Sequence, residues 1–125
     1  GLTSVAEIEG DWTAQSGYSA MQNLIQEHTF TGVVAGNDQM ALGAIHAMIE
    51  AGYRVPQDIS IVGFDDIPEA SFFLPALTTI KQDFRLLGQR GIQYLIDLIQ
   101  NPQIIAGRRV IEPQLVIRNS TESPR

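Results

Sequence analysis

Three short stretches place polar side chains directly after apolar runs: Glu9-Gly10-Asp11-Trp12, Gly36-Asn37-Asp38 and Asp65-Asp66. In open parallel sheets ligands bind beyond the carboxyl ends of the strands, so these are the positions where recognition or catalysis would take place. Asn37 has two readings. Asparagine is a preferred helix N-cap, and Asp38 in the following turn complements the helix dipole. The same amide at a cleft rim keeps donor and acceptor capacity for a ligand, so capping and binding need not exclude each other.

Asp65 and Asp66 invite comparison with a glycosidase pair, which needs two carboxyls facing one substrate about 5 Å or more apart. Successive strand residues point to opposite faces, so neighbouring aspartates are badly placed for that work. One is expected to face the cleft while the other caps Pro68 and its turn. Trp12, the single tryptophan, is read either as a partly buried ring beside a turn or as a platform for the apolar face of a sugar. Ser71 to Pro75, "SFFLP", is either a core-filling turn or a subunit contact.

Other chemistries lack their residues. His28 and His46 have no metal-ligand spacing, and His46 is expected to face solvent from its helix. There is no phosphate-binding loop ending in Lys-Ser or Lys-Thr, no GxGxxG and no GxSxG elbow. Ser16-Gly17 reads as early helix rather than nucleophile. No catalytic constellation is present, so the chain is not expected to be an enzyme, and neither metal nor cofactor is implied.

The elements that must position these residues alternate between short apolar runs and longer stretches of helical period, as βαβ units do. Val5 to Glu9 reads as a strand, Ala14 to Glu27 as a helix with Met21, Leu24 and Ile25 on one face, and Gly32 to Gly36 as a second strand. Asp38 to Ala51 carries Ala41, Leu42, Ile45, Met48 and Ile49 on one stripe and is stopped by Gly52. Ile59 to Phe64 is apolar on both faces, which predicts a central parallel strand covered by helices on each side. Asp83 to Gln100 is the clearest helix, with an apolar surface wider than one stripe. Arg109 to Glu112 and Leu115 to Arg118 read as short closing strands, and Asn119 to Arg125 as a frayed tail.

The chain has 125 residues, no cysteine and a net charge of −6. That length suits one domain with a sizeable core. The absence of cysteine excludes a disulfide framework and a thiolate metal site and fits the cytoplasm. Through residue 80 there are ten acids and one base, Arg54; from Lys81 onward there are seven bases and four acids. Nucleic-acid affinity rests largely on clustered Lys and Arg, so the first part should repel a phosphate backbone. No stretch is long enough to span a bilayer and no signal peptide is apparent; Gly1-Leu2-Thr3, without an initiator Met, is read as the cut end of a longer chain.

With the elements in place, "EGDWTAQSGY", "GNDQMALGAI", "DISIVGFDDIPEA" and "LTTIKQDFRLLGQ" resemble, in order and spacing, the lactose-repressor (LacI) family of bacterial transcription regulators. The similarity covers nearly the whole chain. It implies an α/β fold of the type I periplasmic-binding-protein kind: a parallel-sheet, three-layer carboxyl-terminal lobe, present as a fragment. Residues 1–81 and 113–125 would form that lobe, and residues 82–112 the crossover helix and strand of the other, mostly absent lobe. Lys81-Gln82 and Glu112-Pro113 would be crossover strands.

Carried over by position, the resemblance puts Trp12, Asn37, Asp65, Gln82 and Phe84 in the effector cleft. Trp12 and Phe84 would pack on a ring, Asn37 and Asp65 would bind hydroxyls, and Gln82 would touch ligand while sensing lobe closure. Leu42, Phe72 and Phe73 would line a homodimer interface. The helix-turn-helix, the hinge, a cleft arginine and the lobe's first strand would lie upstream, so DNA is expected as a partner only through that separate piece. The implied function is a cytoplasmic repressor sensing a small molecule, in all expectation a sugar, with no membrane partner. The tail past Asn119 lacks leucine heptads, so no terminal coiled-coil tetramer is expected. The rival reading is a periplasmic sugar receptor of a transport system, distinguished by a signal peptide upstream; an enzyme on a doubly wound sheet is disfavoured by the missing motifs.

Overall fold

The computed structural model describes residues 3–101 and 103–123. The ends of the expected lobe, residues 1–2 and 124–125, and residue 102 within the expected crossover lie outside the described residues. The order is α1 (Ala14–Glu27), β1 (Gly32–Val34), α2 (Asp38–Glu50), β2 (Ser60–Asp65), a 3-10 turn (Pro68–Phe72), β3 (Thr78–Lys81), α3 (Phe84–Gln100) and β4 (Gln114–Val116).

Each helix begins at a side chain that answers its free amides. Thr13 Oγ1 accepts from Ser16 N at 3.1 Å, Asn37 Oδ1 from Met40 N at 2.8 Å, and Asp83 Oδ1 from Leu86 N at 2.8 Å. α2 ends at Gly52, whose φ of +85° suits glycine and lets Tyr53 N reach back to Met48 O at 2.9 Å. α1 and α2 cross closely: a Cβ on Gly43 would overlap the Ala14 carbonyl, and one on Gly17 the Met40 backbone. Glycine lowers helix propensity, yet here nothing larger fits. Tyr18 reinforces the crossing by donating to Glu50 at 2.5 Å.

The four strands form one sheet in the order β1-β2-β3-β4. β1, β2 and β3 are parallel, with Val34 opposite Val62 and Asp65 opposite Lys81. β4 is antiparallel to β3, with Leu115 opposite Ile80. The sheet is therefore mixed rather than wholly parallel, because the chain returns to β3 after α3 from the opposite end. α2 packs on one face, where Ile61, Leu77 and Met48 are fully buried; each such side chain contributes about 1.5–3 kcal/mol of burial.

The expected third layer is not present among the described residues. Strand alternation puts Val34, Val62, Phe64, Ile80 and Leu115 on the other face, and Val34 is 86% and Leu115 57% exposed. β2 is central as expected but has helical cover on one side only. α3 spans its expected residues and contains no buried residue.

Two other expectations fail for want of pairing. Val5–Glu9 and Arg109–Glu112 are extended or irregular and join no ladder among the described residues. The tail is not frayed where it is described. Ser120 is fully buried; its hydroxyl donates to Ile61 O at 2.7 Å and accepts from Thr78 N at 2.8 Å, stitching the chain's end to β2 and β3. No helix among the described residues is long and apolar enough to cross a membrane.

Candidate functional site

The carboxyl ends of β1, β2 and β3 lie side by side, and the expected site residues gather there in two hydrogen-bonded pairs. Asn37, only 7% exposed, accepts from Met40 N and donates from Nδ2 to the Trp12 carbonyl at 2.9 Å. Its capping role is realised, and its second function is to hold the Trp12 backbone. Trp12 itself is 67% exposed, with φ at +72°. The edge of its ring lies near Gly36. Asp11, beside it, is occupied with the turn: its carboxylate accepts from Thr13 Oγ1 at 2.6 Å and Thr13 N at 3.1 Å. The bonds from Thr13 and Ser16 hold its pKa below the usual carboxylate range.

Asp65 accepts from Gln82 Nε2 at 3.1 Å, joining the end of β2 to the residue after β3. The neighbouring Asp66 turns the other way. Its Oδ1 accepts from Arg118 Nη2 at 2.6 Å and its Oδ2 lies 3.6 Å from Lys81 Nζ. Asp66 thus anchors the two chain segments on either side of α3 instead of capping Pro68. No side chain caps the Pro68–Phe72 turn; its entry is held instead at Ile67, whose N donates to Asp38 Oδ2 at 2.9 Å. Phe84 opens α3 and is 55% exposed.

Trp12, Asp65 and Asp66 are the three non-glycine residues with positive φ among the described residues, at +72°, +107° and +55°. Left-handed backbone is uncommon outside glycine, and such strain concentrates where a site over-determines the chain. Trp12 and Asp65 each belong to one of the two pairs, and Asp66 to the neighbouring ion cluster with Arg118 and Lys81.

The strand ends form a wall, not an enclosure. The hollow that Gln82 borders, with Asp83, Leu87, Ile111, Glu112 and Pro113, holds about 60 Å³, space for about two waters. Along α3, Leu86, Gln89, Arg90, Ile92 and Gln93 border open surface rather than a cavity. Ligand pockets usually enclose roughly 300–1,000 Å³, so the wall needs an opposing surface to become one. Among the described residues no group of His, Asp and Glu is arranged to hold a metal ion.

The expected interface residues divide. Phe72 is 83% exposed and Leu42 42%, whereas Phe73 is 8% exposed and belongs to the core. The exposed partner of Phe72 is Leu74, at 84%. In the Ser71–Pro75 stretch Phe73 fills the core while Phe72 and Leu74 are exposed. Asp38, Asp66 and Arg118 were not legible as a group in the sequence, because their partners lie tens of residues away.

The chain matches the periplasmic binding protein-like domain family over residues 2–121. It is 46% identical over 124 residues to the lactose operon repressor of Escherichia coli strain K12, a match covering 98% of this chain and 34% of that protein. It superposes on the lac repressor dimer bound to operator and the anti-inducer ONPF with a TM-score of 0.92 and 45% identity, over 98% of this chain and 43% of the other. A LacI family transcriptional regulator from Enterococcus faecium with bound ribose gives a TM-score of 0.77 and 35% identity, over 90% of this chain and 41% of the other. The chain spans about a third of the length of the curated relatives it matches.

Proposed function

The chain belongs to the periplasmic binding protein-like domain family in its lactose-repressor branch, and on that premise we propose that it is the effector-sensing and dimerisation part of a transcriptional repressor. The effector is a small molecule, of the sugar class, bound against the wall formed by Trp12, Asn37, Asp65, Gln82 and Phe84. The protein acts by binding rather than catalysis, without a cofactor, in the cytoplasm where its operator lies.

The observation that carries this reading is the Asp65–Gln82 bond at the junction between sheet and α3. Asp65 can only accept, so it suits two neighbouring hydroxyls, and a hydroxyl arriving there competes with Gln82 for the same carboxylate. Trp12 and Phe84 offer exposed aromatic faces for the apolar side of a ring. Asn37 contributes its remaining donor capacity while fixing Trp12.

The chain crosses at Gln82 into a second lobe that closes the cleft and returns at Pro113, the described residues before and after the crossover forming the first lobe. The exposed apolar residues of α3, among them Leu87, Ile92 and Leu95, support that division, since such a surface calls for cover. Lobe closure shifts the orientation of a DNA-binding piece elsewhere in the protein. Coupling of about 1–3 kcal/mol would change operator affinity roughly 5- to 150-fold. The dimer forms through the exposed side of α2 at Leu42 and through Phe72 with Leu74.

The test is fluorescence anisotropy of the full-length protein on its promoter DNA, titrated with salt and then with a sugar panel that includes ribose. The expected result is tight, salt-sensitive binding altered by one sugar and unaltered by it in Asp65→Asn. Sugar binding without specific DNA binding would overturn this reading in favour of a transport receptor.

A further inference from the structure

Asp38 is a charged residue with no solvent exposure, one position beyond the cap of α2. Its two carboxylate oxygens serve different segments. Oδ2 accepts from Ile67 N at 2.9 Å, directly after Asp65-Asp66, and Oδ1 accepts from Thr79 Oγ1 at 2.6 Å on β3. One side chain thus ties the start of α2, which carries Asn37, to the turn that carries Asp65 and to the strand that leads into Gln82. β2 makes room for it at Gly63, where a Cβ would overlap the carboxylate.

The turn it grips is the strained one, with Asp65 and Asp66 both at positive φ. Asp66 is held on its far side by Arg118 and Lys81, so Asp38 supplies the hold from beneath. Without it Ile67 N would be left without its partner, and the turn would relax toward ordinary backbone. We propose that Asp38 is the positioning residue of the effector wall, fixing the Asp65–Ile67 turn so that the Asp65 carboxylate faces the ligand beside Gln82. It does not touch the ligand itself. This inference rests on the ligand-binding reading given above.

The chemistry of the group adds a second handle. Burial pushes the Asp38 carboxyl up, the bonds from Thr79 and Ile67 oppose that, and the nearby charges of Asp65 and Asp66 push it further up. Asparagine at this position keeps the shape and both contacts: its oxygen accepts from Ile67 N while its amide donates to the Thr79 hydroxyl, which reverses direction.

The experiment uses the full-length protein as unsubstituted, Asp38→Ala and Asp38→Asn forms. Amide hydrogen exchange is resolved at residues 65–67 and across α1 and α2, and affinity for ONPF is measured alongside. In Asp38→Ala the Ile67 amide should exchange roughly tenfold faster and the ONPF Kd should rise roughly tenfold, the effect of one buried hydrogen bond left unmade. Exchange in α1 should be unchanged, and Asp38→Asn should restore both quantities. Unchanged exchange at Ile67, or acceleration equal in α1 and the turn, would overturn the assignment. If Asp38→Ala fails to fold, Thr79→Val removes one arm alone and should quicken Ile67 more than α1; equal change in both overturns the proposal. Failure of the unsubstituted protein to bind ONPF or ribose would overturn the ligand reading and with it the wall, while the exchange ratios would still decide whether Asp38 fixes the Asp65–Ile67 turn.

Discussion

Asn37 performs two bonds that a substitution can separate. Its oxygen caps α2 and its Nδ2 holds the Trp12 carbonyl. Asn37→Ala loses both and should cost about 1 kcal/mol in a urea melt from the cap alone. Asn37→Asp keeps the cap but has nothing to donate to Trp12. With a carboxylate oxygen facing the Trp12 carbonyl in a nearly buried place, it should lose about 1–3 kcal/mol and shift the emission of the single tryptophan. The two aspartates with shifted pKa values make opposite predictions with pH. Hydrogen bonds from Thr13 and Ser16 lower Asp11, so its stabilisation is present above its unfolded pKa and is lost as pH falls through the folded value. Burial raises Asp38, so its contribution is present in acid and is lost as pH rises through the folded value. Thermal melts from acid to neutral pH should therefore show Asp11→Asn less stable at neutral pH and matching the unsubstituted protein in acid. Asp38→Asn should be the more stable form at neutral pH. A parallel response of the two substitutions would contradict the assigned causes.

The α1–α2 pair and α3 respond oppositely to the same substitution. Gly43 is where α1 and α2 touch backbone to backbone, so Gly43→Ala must separate them and should cost about 1–3 kcal/mol. Around Gly88 and Gly91 there is open space. Alanine there should stabilise α3 by about 0.5–1 kcal/mol each, read as a gain in helicity and melting temperature. A loss at Gly91 in the full-length protein would reveal a closely packed neighbour on that side of α3. These elements were also the most legible in the sequence. α1, α2 and α3 announce themselves by apolar spacing, and α2 also by its cap at Asn37, because both signals are local. The strands at Val5–Glu9 and Arg109–Glu112 were misread because an apolar run becomes a strand only where another strand pairs with it. The burial of Asp38 and Ser120 had no local signal. Which polar side chain goes inside is decided by partners such as Thr79 and Ile61, 41 and 59 residues distant. Of the site, the strand ends were readable from topology, while the choice of Trp12, Asn37, Asp65, Gln82 and Phe84 as the proposed effector wall rests on the family resemblance; the division of labour between Asp65 and Asp66 required the three-dimensional arrangement.

At the scale of the molecule, the chain carries two apolar surfaces without cover among the described residues. One is the sheet face bearing Val34 and Leu115, and the other is the side of α3 bearing Leu87, Ile92 and Leu95. Isolated exposed leucines are ordinary, but contiguous patches beyond a few hundred Å² mark interfaces. The net charge of −6 opposes close approach of two copies only weakly once salt screens it. No residue of α3 is buried and none belongs to the core cluster. The 125-residue chain on its own is therefore expected to self-associate, with α3 of one copy lying against apolar surface of another. Light scattering over a concentration series should give a mass rising above 13.7 kDa. Leu95→Glu, which puts a charge on the helix face without touching the core, should bring the mass back toward the monomer while leaving the thermal transition of the α1–α2 lobe in place. A chain that stays monomeric at the highest concentrations would mean that α3 finds its cover within its own molecule, and the division of the fold at Gln82 would have to be abandoned.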